Sequence, residues 1–219
     1  MIASSITFDL FHERCIYSSL AHAVYTFREP FFQFEQSWDN ENYSFYFGST
    51  RGTISFRFDL RIAAGAARDD MSKRRYWYPK KKAAELFSRA PKKIVELAQN
   101  ETLEYLYDTI DGTCCPMATV AMWHDGEKLF LSEDEPTLAQ NGGRYFLLLG
   151  DSSIDLSEYW RKQYSLSDSE IRLIEQLKGF VHSSSPYYAS KPFAKILTTA
   201  KGTKEGLESL LELGIRAYL

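Results

Sequence analysis

Residues 54–62 read ISFRFDLRI, and this stretch decides the fold class because apolar and polar residues alternate strictly along it. Successive side chains of a β-strand point to opposite faces, so the alternation is typical of a strand with one buried and one solvated face. We therefore predict one strand over 54–62. Two shorter alternating runs, at 31–35 and 43–47, precede it and are separated from it by turn-forming residues. Together the runs predict an antiparallel meander over residues 31–67.

The flanking segments extend this prediction in both directions. Apolar residues at helical spacing over 8–28 predict a helix that ends before Pro30. Asp125-Gly126 lies between two alternating runs and predicts a β-hairpin over 119–131, because both residues of such a turn favour positive φ. The continuous apolar run Tyr145–Leu149 predicts a central strand.

Short helices are predicted around the hairpin. Three are expected after the charged segment 68–82, which is predicted to be a loop: they lie at 82–89, 91–99 and 101–109. Ser132 and Glu135 have the spacing of a capping box, which predicts a further helix that ends at Asn141-Gly142.

After Gly150 the pattern is helical. Ser167 and Glu170 form a second capping-box pattern, followed by an apolar stripe of Ile171, Ile174 and Leu177. Two more helices are expected up to Gly214. The prediction is a single α+β domain over residues 1–219, with a sheet-rich part at 1–150 and an all-helical part at 151–219.

The composition restricts the class of protein. A chain of 219 residues with 44% apolar residues buries a sizeable core without a metal or a disulfide. Its formal net charge of -3 argues against a generic nucleic-acid binder or a membrane-surface protein. Three cysteines, two of them adjacent, do not form a disulfide framework. With no signal-peptide pattern and no apolar run of about 20 residues, the sequence predicts a cytoplasmic protein.

No motif in the sequence predicts a catalytic, cofactor or metal site. The four histidines and three cysteines lack the spacing of zinc ligands, and there is no nucleophile elbow or phosphate-binding loop. Gly142-Gly143 precedes a predicted strand, so it is interpreted as a helix stop. His12 and Cys15 are one helical turn apart. A surface histidine beside a buried cysteine is a commoner arrangement than a thiolate–imidazole pair.

A basic and aromatic segment at 73–82 is the most distinctive local feature, since six cations surround Tyr76, Trp77 and Tyr78. Aromatic rings that stack on bases, together with cations that contact phosphates, are typical of single-strand nucleic-acid binding. A solvated loop, or a loop that contacts an acidic protein, has the same composition.

A set of residues spread along the chain resembles uncharacterised bacterial proteins of similar size, some of which resemble immunity proteins of polymorphic, contact-dependent toxin systems. The set comprises Trp38-Asp39, Tyr43, Gly48, the segment 51–56, Ala66, Arg68-Asp69-Asp70, Ser72, Pro116, Trp123 and Gly142-Gly143. The resemblance covers residues 30–215. It implies a cytosolic protein without catalytic residues, which neutralises a cognate toxin, the C-terminal domain of a secreted effector, by stoichiometric binding.

The sequence also suggests which residues contact such a partner. Many nuclease toxins are basic, so we expect the acidic segments to face the toxin, with the three aromatic residues of the basic segment as further contacts. The candidate contact residues are Glu133, Asp134, Glu135, Asp151, Asp155, Glu158, Tyr76, Trp77 and Tyr78. Two alternatives stay open: a nucleic-acid or regulatory binding module that uses segment 73–82, and an enzyme whose site is assembled only in the folded chain.

Overall fold

The computed structural model describes residues 3–74, 83–110, 112–181, 183 and 185–218. The fold is α+β, which confirms the predicted class. Residue contacts divide the chain into two compact units. The sheet unit comprises Met1–Phe11 and Asp39–Ser152, and the helical unit comprises His12–Trp38 and Ser153–Leu219. The helical unit therefore contains an N-terminal segment in addition to the predicted C-terminal helices.

The main sheet has seven strands in the order β1-β9-β8-β5-β4-β3-β2, and every pairing described in it is antiparallel. The consecutive neighbours β2 to β5 form a meander, as predicted, but its first strand follows the run 31–35 instead of containing it. β8 with β9 forms the predicted hairpin. The strands are β1 Ala3–Ser4, β2 Gln36–Asp39, β3 Asn42–Phe47, β4 Thr50–Arg57, β5 Ile62–Asp69, β8 Val120–His124 and β9 Leu129–Leu131.

The stretch 54–62 is not a single strand. β4 ends at Arg57, a turn follows, and β5 begins at Ile62, which pairs with Arg57. Phe58 and Leu60 lie in this turn and are exposed, although they continue the apolar alternation of β4. The turn is stabilised by an edge-to-face contact of Phe58 with Phe8, whose ring centroids are 5.7 Å apart. The prediction of one strand over 54–62 was wrong because apolar and polar residues alternate through the turn in the same way as along the strand.

Both faces of the central strands β4 and β5 are buried. On one face, the small side chains of β5 pack with Trp123 of β8 against a series of short helical segments. On the other face, the core contains Phe8, Phe45 and Tyr145. The short helical segments are the 3₁₀ helix Ala83–Phe87, α2 Lys92–Leu97, the π-helical turn Ala98–Thr102 and the 3₁₀ helix Glu104–Leu106. The third helix, predicted over 101–109, ends earlier than predicted. Residues 107–110 form the strand β6 Tyr107–Ile110, which pairs with β7 Thr113–Pro116.

Two predictions near residue 140 were also wrong. The short helix α3, Glu135–Gln140, is capped by Asp134, whose side chain accepts from the amide of Thr137, and Ser132 instead accepts from the amide of Ala121. The apolar run after it forms the helix α4, Arg144–Gly150, rather than a strand. Four of its apolar side chains are buried, and a run of this kind is equally compatible with a buried helix and a buried strand.

The helical unit contains most of the predicted N-terminal helix, α1 Phe8–Arg28, and the C-terminal helices. The capping box of Ser167 and Glu170 is confirmed, and Trp160 donates from its indole to the hydroxyl of Ser18 at 3.0 Å. A short parallel ladder interrupts the otherwise helical C-terminal third. The elements are α5 Leu156–Tyr164, α6 Asp168–Lys178, β10 Tyr187–Tyr188, α7 Lys191–Thr199, α8 Thr203–Glu212 and β11 Ala217–Tyr218. Among the described helices, none is long and apolar enough to cross a membrane.

Candidate functional site

Most of the acidic residues predicted to contact a partner have structural roles. Glu133 forms a bidentate ion pair with Arg74, in which each carboxylate oxygen accepts from one guanidinium nitrogen, and both side chains are largely buried. Asp134 caps α3. In the helical unit, Asp155 caps α5 by accepting from the amides of Ser157 and Glu158, and Glu158 forms an ion pair with Lys162 at 3.1 Å.

The other two predicted acidic residues, Glu135 and Asp151, lie together at the rim of a pocket in the sheet unit. Both are exposed. The six residues are divided between the two units: four belong to the sheet unit, where Glu135 and Asp151 line this pocket, and two belong to the helical unit.

The aromatic residues Tyr76, Trp77 and Tyr78 lie outside the described residues. Of the basic segment, only Lys73 and Arg74 are among the described residues. Arg74 forms an ion pair with Glu133 and donates to the carbonyl of Thr119 at 3.0 Å. Just before them, Ser72 donates to Asn141 at 2.6 Å. Arg74 therefore serves a structural role in the sheet unit.

The helical unit presents a group of exposed aromatic side chains that the sequence analysis missed. Residues 30–35 form a 3₁₀ helix with no buried residue, instead of the strand expected at 31–35. Phe31 is 96% exposed, Phe34 is 75% exposed and Phe32 is exposed as well. We call Phe31, Phe32 and Phe34 the aromatic patch. Large contiguous apolar exposure of this kind is typical of interaction sites.

Local structure holds the aromatic patch in place. Pro30 fixes φ in the first turn of the 3₁₀ helix, and the spacing of three residues per turn aligns Phe31 with Phe34. Gln33 donates to Glu208 of α8 at 2.8 Å. Phe32 lies against the ring of Tyr25, with centroids 5.8 Å apart.

Tyr25 is itself part of a stack of aromatic rings beside the patch. Its ring lies parallel to that of Tyr164 at 4.4 Å, and Tyr164 stacks on Trp160 at 4.8 Å. The guanidinium of Arg28 lies over the Tyr25 ring at 5.4 Å. Side chains that are already stacked in the free protein lose less conformational entropy when a partner binds.

Carboxylates surround the aromatic patch. Glu29 and Glu35 flank it in sequence, and Glu208 and Glu212 lie on α8. Burial raises the pKa of Glu35, and burial together with the neighbouring Glu208 raises the pKa of Glu212. The basic residues in this region include Lys204, which is 3.8 Å from Glu208, and Arg28, which pairs with Glu170. Glu208 and Glu212 also accept hydrogen bonds, from Gln33 and from the amide of Trp38.

A buried histidine lies behind the same segment. His22 is almost fully buried, and the hydroxyl of Tyr164 lies 3.3 Å from its Nδ1. Gln36 donates to the same hydroxyl at 3.3 Å. Nε2 makes no hydrogen bond to any described residue. Burial lowers the pKa of His22 to about 4, against a smaller opposing effect of the nearby backbone of Phe32 and Gln33.

The described residues contain no candidate metal centre built from three or more histidine, cysteine, aspartate or glutamate residues. Cys15 is buried, and burial raises the pKa of its thiol, which opposes formation of a thiolate beside His12.

The Gly142-Gly143 pair is followed by the helix α4, contrary to the prediction, but its glycines serve packing. A Cβ on Gly143 would lie 2.3 Å from the Leu138 side chain. Gly142 has a φ of +101°, so its role as a helix stop is confirmed.

No protein-family model matches the chain, and no curated protein or solved structure shows significant similarity to it. The resemblance to immunity proteins therefore stays a prediction.

Proposed function

We propose that this chain is a binding protein without chemistry of its own, and that the aromatic patch of the helical unit is the surface that contacts a protein partner with a basic surface. The observation that carries the proposal is the exposure of Phe31 and Phe34 on an ordered 3₁₀ helix. Removing one such ring from water contributes roughly 1.5–3 kcal/mol. Aromatic side chains are enriched among the residues that dominate protein–protein binding energy.

The charge beside the patch supports a basic partner. Because burial raises the pKa of Glu35, keeping this carboxylate ionised at neutral pH costs free energy. A lysine or arginine of the partner placed beside Glu35 would recover that cost and would also speed association.

The class of partner follows from the resemblance to immunity proteins. We propose a toxin domain, neutralised in the cytoplasm by a one-to-one complex that covers its active site or the surface it needs. A basic nuclease is the toxin that fits the carboxylates beside the aromatic patch.

The experiment co-expresses the chain with the products of the neighbouring genes, among which the proposal predicts a toxin domain. We expect co-expression to restore growth, and the purified proteins to elute as a one-to-one complex. The double substitution Phe31→Ser with Phe34→Ser should weaken the complex at least 100-fold in calorimetry, because two exposed rings no longer contribute. Glu35→Gln should weaken it several-fold and reduce its salt dependence.

Tyr188→Ser is the matched control, since Tyr188 is an exposed aromatic residue on β10 that does not belong to the aromatic patch. Its complex should keep the parent affinity. The double serine variant and the Tyr188→Ser control should unfold within about 0.5 kcal/mol of the parent because the altered aromatic side chains are exposed. Lack of rescue and of a complex with the parent protein would reject the toxin partner. A complex that the double substitution leaves unchanged would reject the aromatic patch as its binding surface.

A further inference from the structure

A group of oxygen-bearing side chains meets in the sheet unit, where the turn between β2 and β3 lies beside the π-helical turn Ala98–Thr102. Asp39 and Asn42 flank the two residues of the β2–β3 turn. Glu101 belongs to the π-helical turn, and Tyr105 lies in the 3₁₀ helix that follows it. Single π-helical turns are frequent at functional sites. We call these four residues the oxygen cluster.

The strand pairing of the sheet brings Glu101 to the side of Asn42. Asn42 is opposite Ser55 in the β3–β4 ladder, and the hydroxyls of Ser55 and Thr102 are 2.9 Å apart. Thr102 is fully buried, so the π-helical turn is fixed against β4 at this point. Its neighbour Glu101 accepts from the side-chain nitrogen of Asn42 at 3.4 Å.

The second acidic residue, Asp39, is joined to the cluster by Tyr105. The hydroxyl of Tyr105 donates to one carboxylate oxygen of Asp39 at 2.6 Å, and the other oxygen accepts from the side chain of Asn40 at 3.1 Å. Burial, followed by the carboxylates of Asp39 and Glu101, raises the pKa of Tyr105 to about 12, so both negative charges act on the same hydroxyl. Arg51 is also close, since it donates to the backbone carbonyl of Tyr105 at 3.0 Å.

Asn42 supplies the observation that points to a ligand. It is 8% exposed, and its side-chain oxygen Oδ1 is buried and accepts no hydrogen bond from any described residue. Oδ1 lies about 2.3 Å from the nitrogen that donates to Glu101, because both atoms are bonded to the same carbon. A buried acceptor without a donor is unfavourable, and a positive ion can take the place of the donor.

We propose that the oxygen cluster binds a calcium ion, with Asp39, Glu101 and Oδ1 of Asn42 as ligands and water as the remaining ligands. Ca²⁺ takes roughly six to eight oxygen ligands in a flexible geometry, and amide oxygens are among them. A calcium site can therefore form with two carboxylates. Both carboxylates belong to exposed residues, so they can turn towards the ion. The hydrogen bond that the ion replaces, from Asn42 to Glu101, is long at 3.4 Å. This inference is independent of the aromatic patch.

The ligand set distinguishes calcium from other cations. Mg²⁺ requires near-ideal octahedral geometry and loses its water reluctantly, so it should bind about tenfold more weakly. Zn²⁺ prefers nitrogen and sulfur ligands, and the oxygen cluster supplies neither as a histidine or a cysteine. A site with two carboxylates should have a calcium dissociation constant of about 10⁻⁴–10⁻³ M, at the weak end of the range for proteins.

The test adds calcium chloride to the whole chain and follows the backbone amide resonances by NMR. We expect saturable shifts at Asp39, Asn42 and Glu101, with a dissociation constant in that range. Magnesium chloride should need a concentration about tenfold higher. Sodium chloride at equal ionic strength should leave these resonances in place, because screening of charge does not require a site.

Two double variants separate the ligands from the general charge of the protein. Asp39→Asn with Glu101→Gln should weaken calcium binding at least tenfold, because both carboxylate ligands are lost. Glu85→Gln with Glu127→Gln is the control: it also removes two negative charges from exposed residues of the sheet unit, but outside the oxygen cluster. The control should bind calcium as the parent does.

A substitution of Asn42 tests the amide oxygen itself. Asn42→Asp has nearly the same shape and supplies a third carboxylate, so it should strengthen calcium binding about tenfold. Without calcium the new charge lies beside Glu101, so this variant should melt at a lower temperature than the parent. Calcium should raise its melting temperature more than that of the parent, because the ion binds the folded state more tightly.

The proposal is overturned if calcium chloride up to about 20 mM, well above the expected dissociation constant, gives no saturable shift at the three residues. Shifts of the same size in sodium chloride of equal ionic strength would also overturn it, as would equal binding of calcium and magnesium. So would an equal loss of affinity in the two double variants. Unchanged calcium affinity in Asn42→Asp would reject Oδ1 as a ligand and with it the site.

Discussion

Acidification should destabilise the helical unit through His22. Its ordinary pKa is 6.5, and burial lowers it to about 4 in the folded chain. Because the unfolded chain binds the proton more tightly, the stabilising contribution is complete above pH 6.5 and is lost as the pH falls from 6.5 to 4. A difference of roughly 2.5 pKa units corresponds to about 3 kcal/mol.

The assay is urea unfolding at a series of pH values between 7 and 4, applied to the parent and to two variants, His22→Gln and His22→Leu. Neither replacement titrates in this range. Other groups contribute to the acid sensitivity of the parent, including His124, whose pKa burial also lowers. The pH-dependent loss of unfolding free energy in the parent, minus the loss in the variant, gives the contribution of His22 alone. A constant cost of the replacement at neutral pH does not affect this difference.

We expect the parent to lose about 3 kcal/mol more than either variant between pH 6.5 and 4. Parallel loss of stability in the parent and both variants would refute the reasoning, because it would mean that His22 titrates alike in the folded and unfolded chains. A smaller difference shared by both variants would show that the folded pKa of His22 lies closer to its ordinary value.

Two further predictions concern the sheet unit. A double-mutant cycle of Arg74→Ala and Glu133→Ala in urea unfolding should give a coupling free energy of about 2 kcal/mol, because this ion pair is largely buried. The same cycle on the exposed pair of Lys92 and Glu96 should give less than about 0.5 kcal/mol. Equal coupling free energies in the two pairs would contradict the prediction. Gly52→Ala should cost about 1–3 kcal/mol, because its Cβ would lie 2.3 Å from the ring of Phe45. Gly48→Ala, which meets no atom within 4 Å but has a φ of +63°, should cost about 1 kcal/mol, and the reverse order of the two glycine variants would be inconsistent with the packing.

Local signals predicted the elements that local interactions specify. Helix α1 was predicted nearly to the residue, because a helical period is a property of neighbouring residues. The hairpin around Asp125-Gly126 is confirmed, but its turn was wrong: the loop has four residues, 125–128, instead of two, and of the pair only Gly126 has a positive φ. The stretch 54–62 failed because its period is also a local property: Phe58 and Leu60 extend it through a turn whose position depends on the pairing of β4 with β5.

The candidate site was less accessible to sequence analysis because burial and pairing are decided by distant residues. Glu133 appears in the sequence as a solvated acid, yet its partner Arg74 is 59 residues away. In the sequence, Asp134 and Asp155 cannot be distinguished from other acidic surface residues. The structure shows that each one caps a helix. For the aromatic patch, one signal was present in the sequence: Pro30 directly before the phenylalanines favours the first turn of a helix over a strand.

The small residues of β5 have a consequence for how the sequence can change over time. Alanine and glycine occupy residues 63–67, between two covered faces, and the bulk of the surrounding layers comes from neighbours such as Met122 and Trp123. A Cβ on Gly65 would lie 2.8 Å from the sulfur of Met122, so a larger side chain is tolerated there only with a smaller one at 122. Among descendants of this chain, the two positions should vary together, in compensating steps.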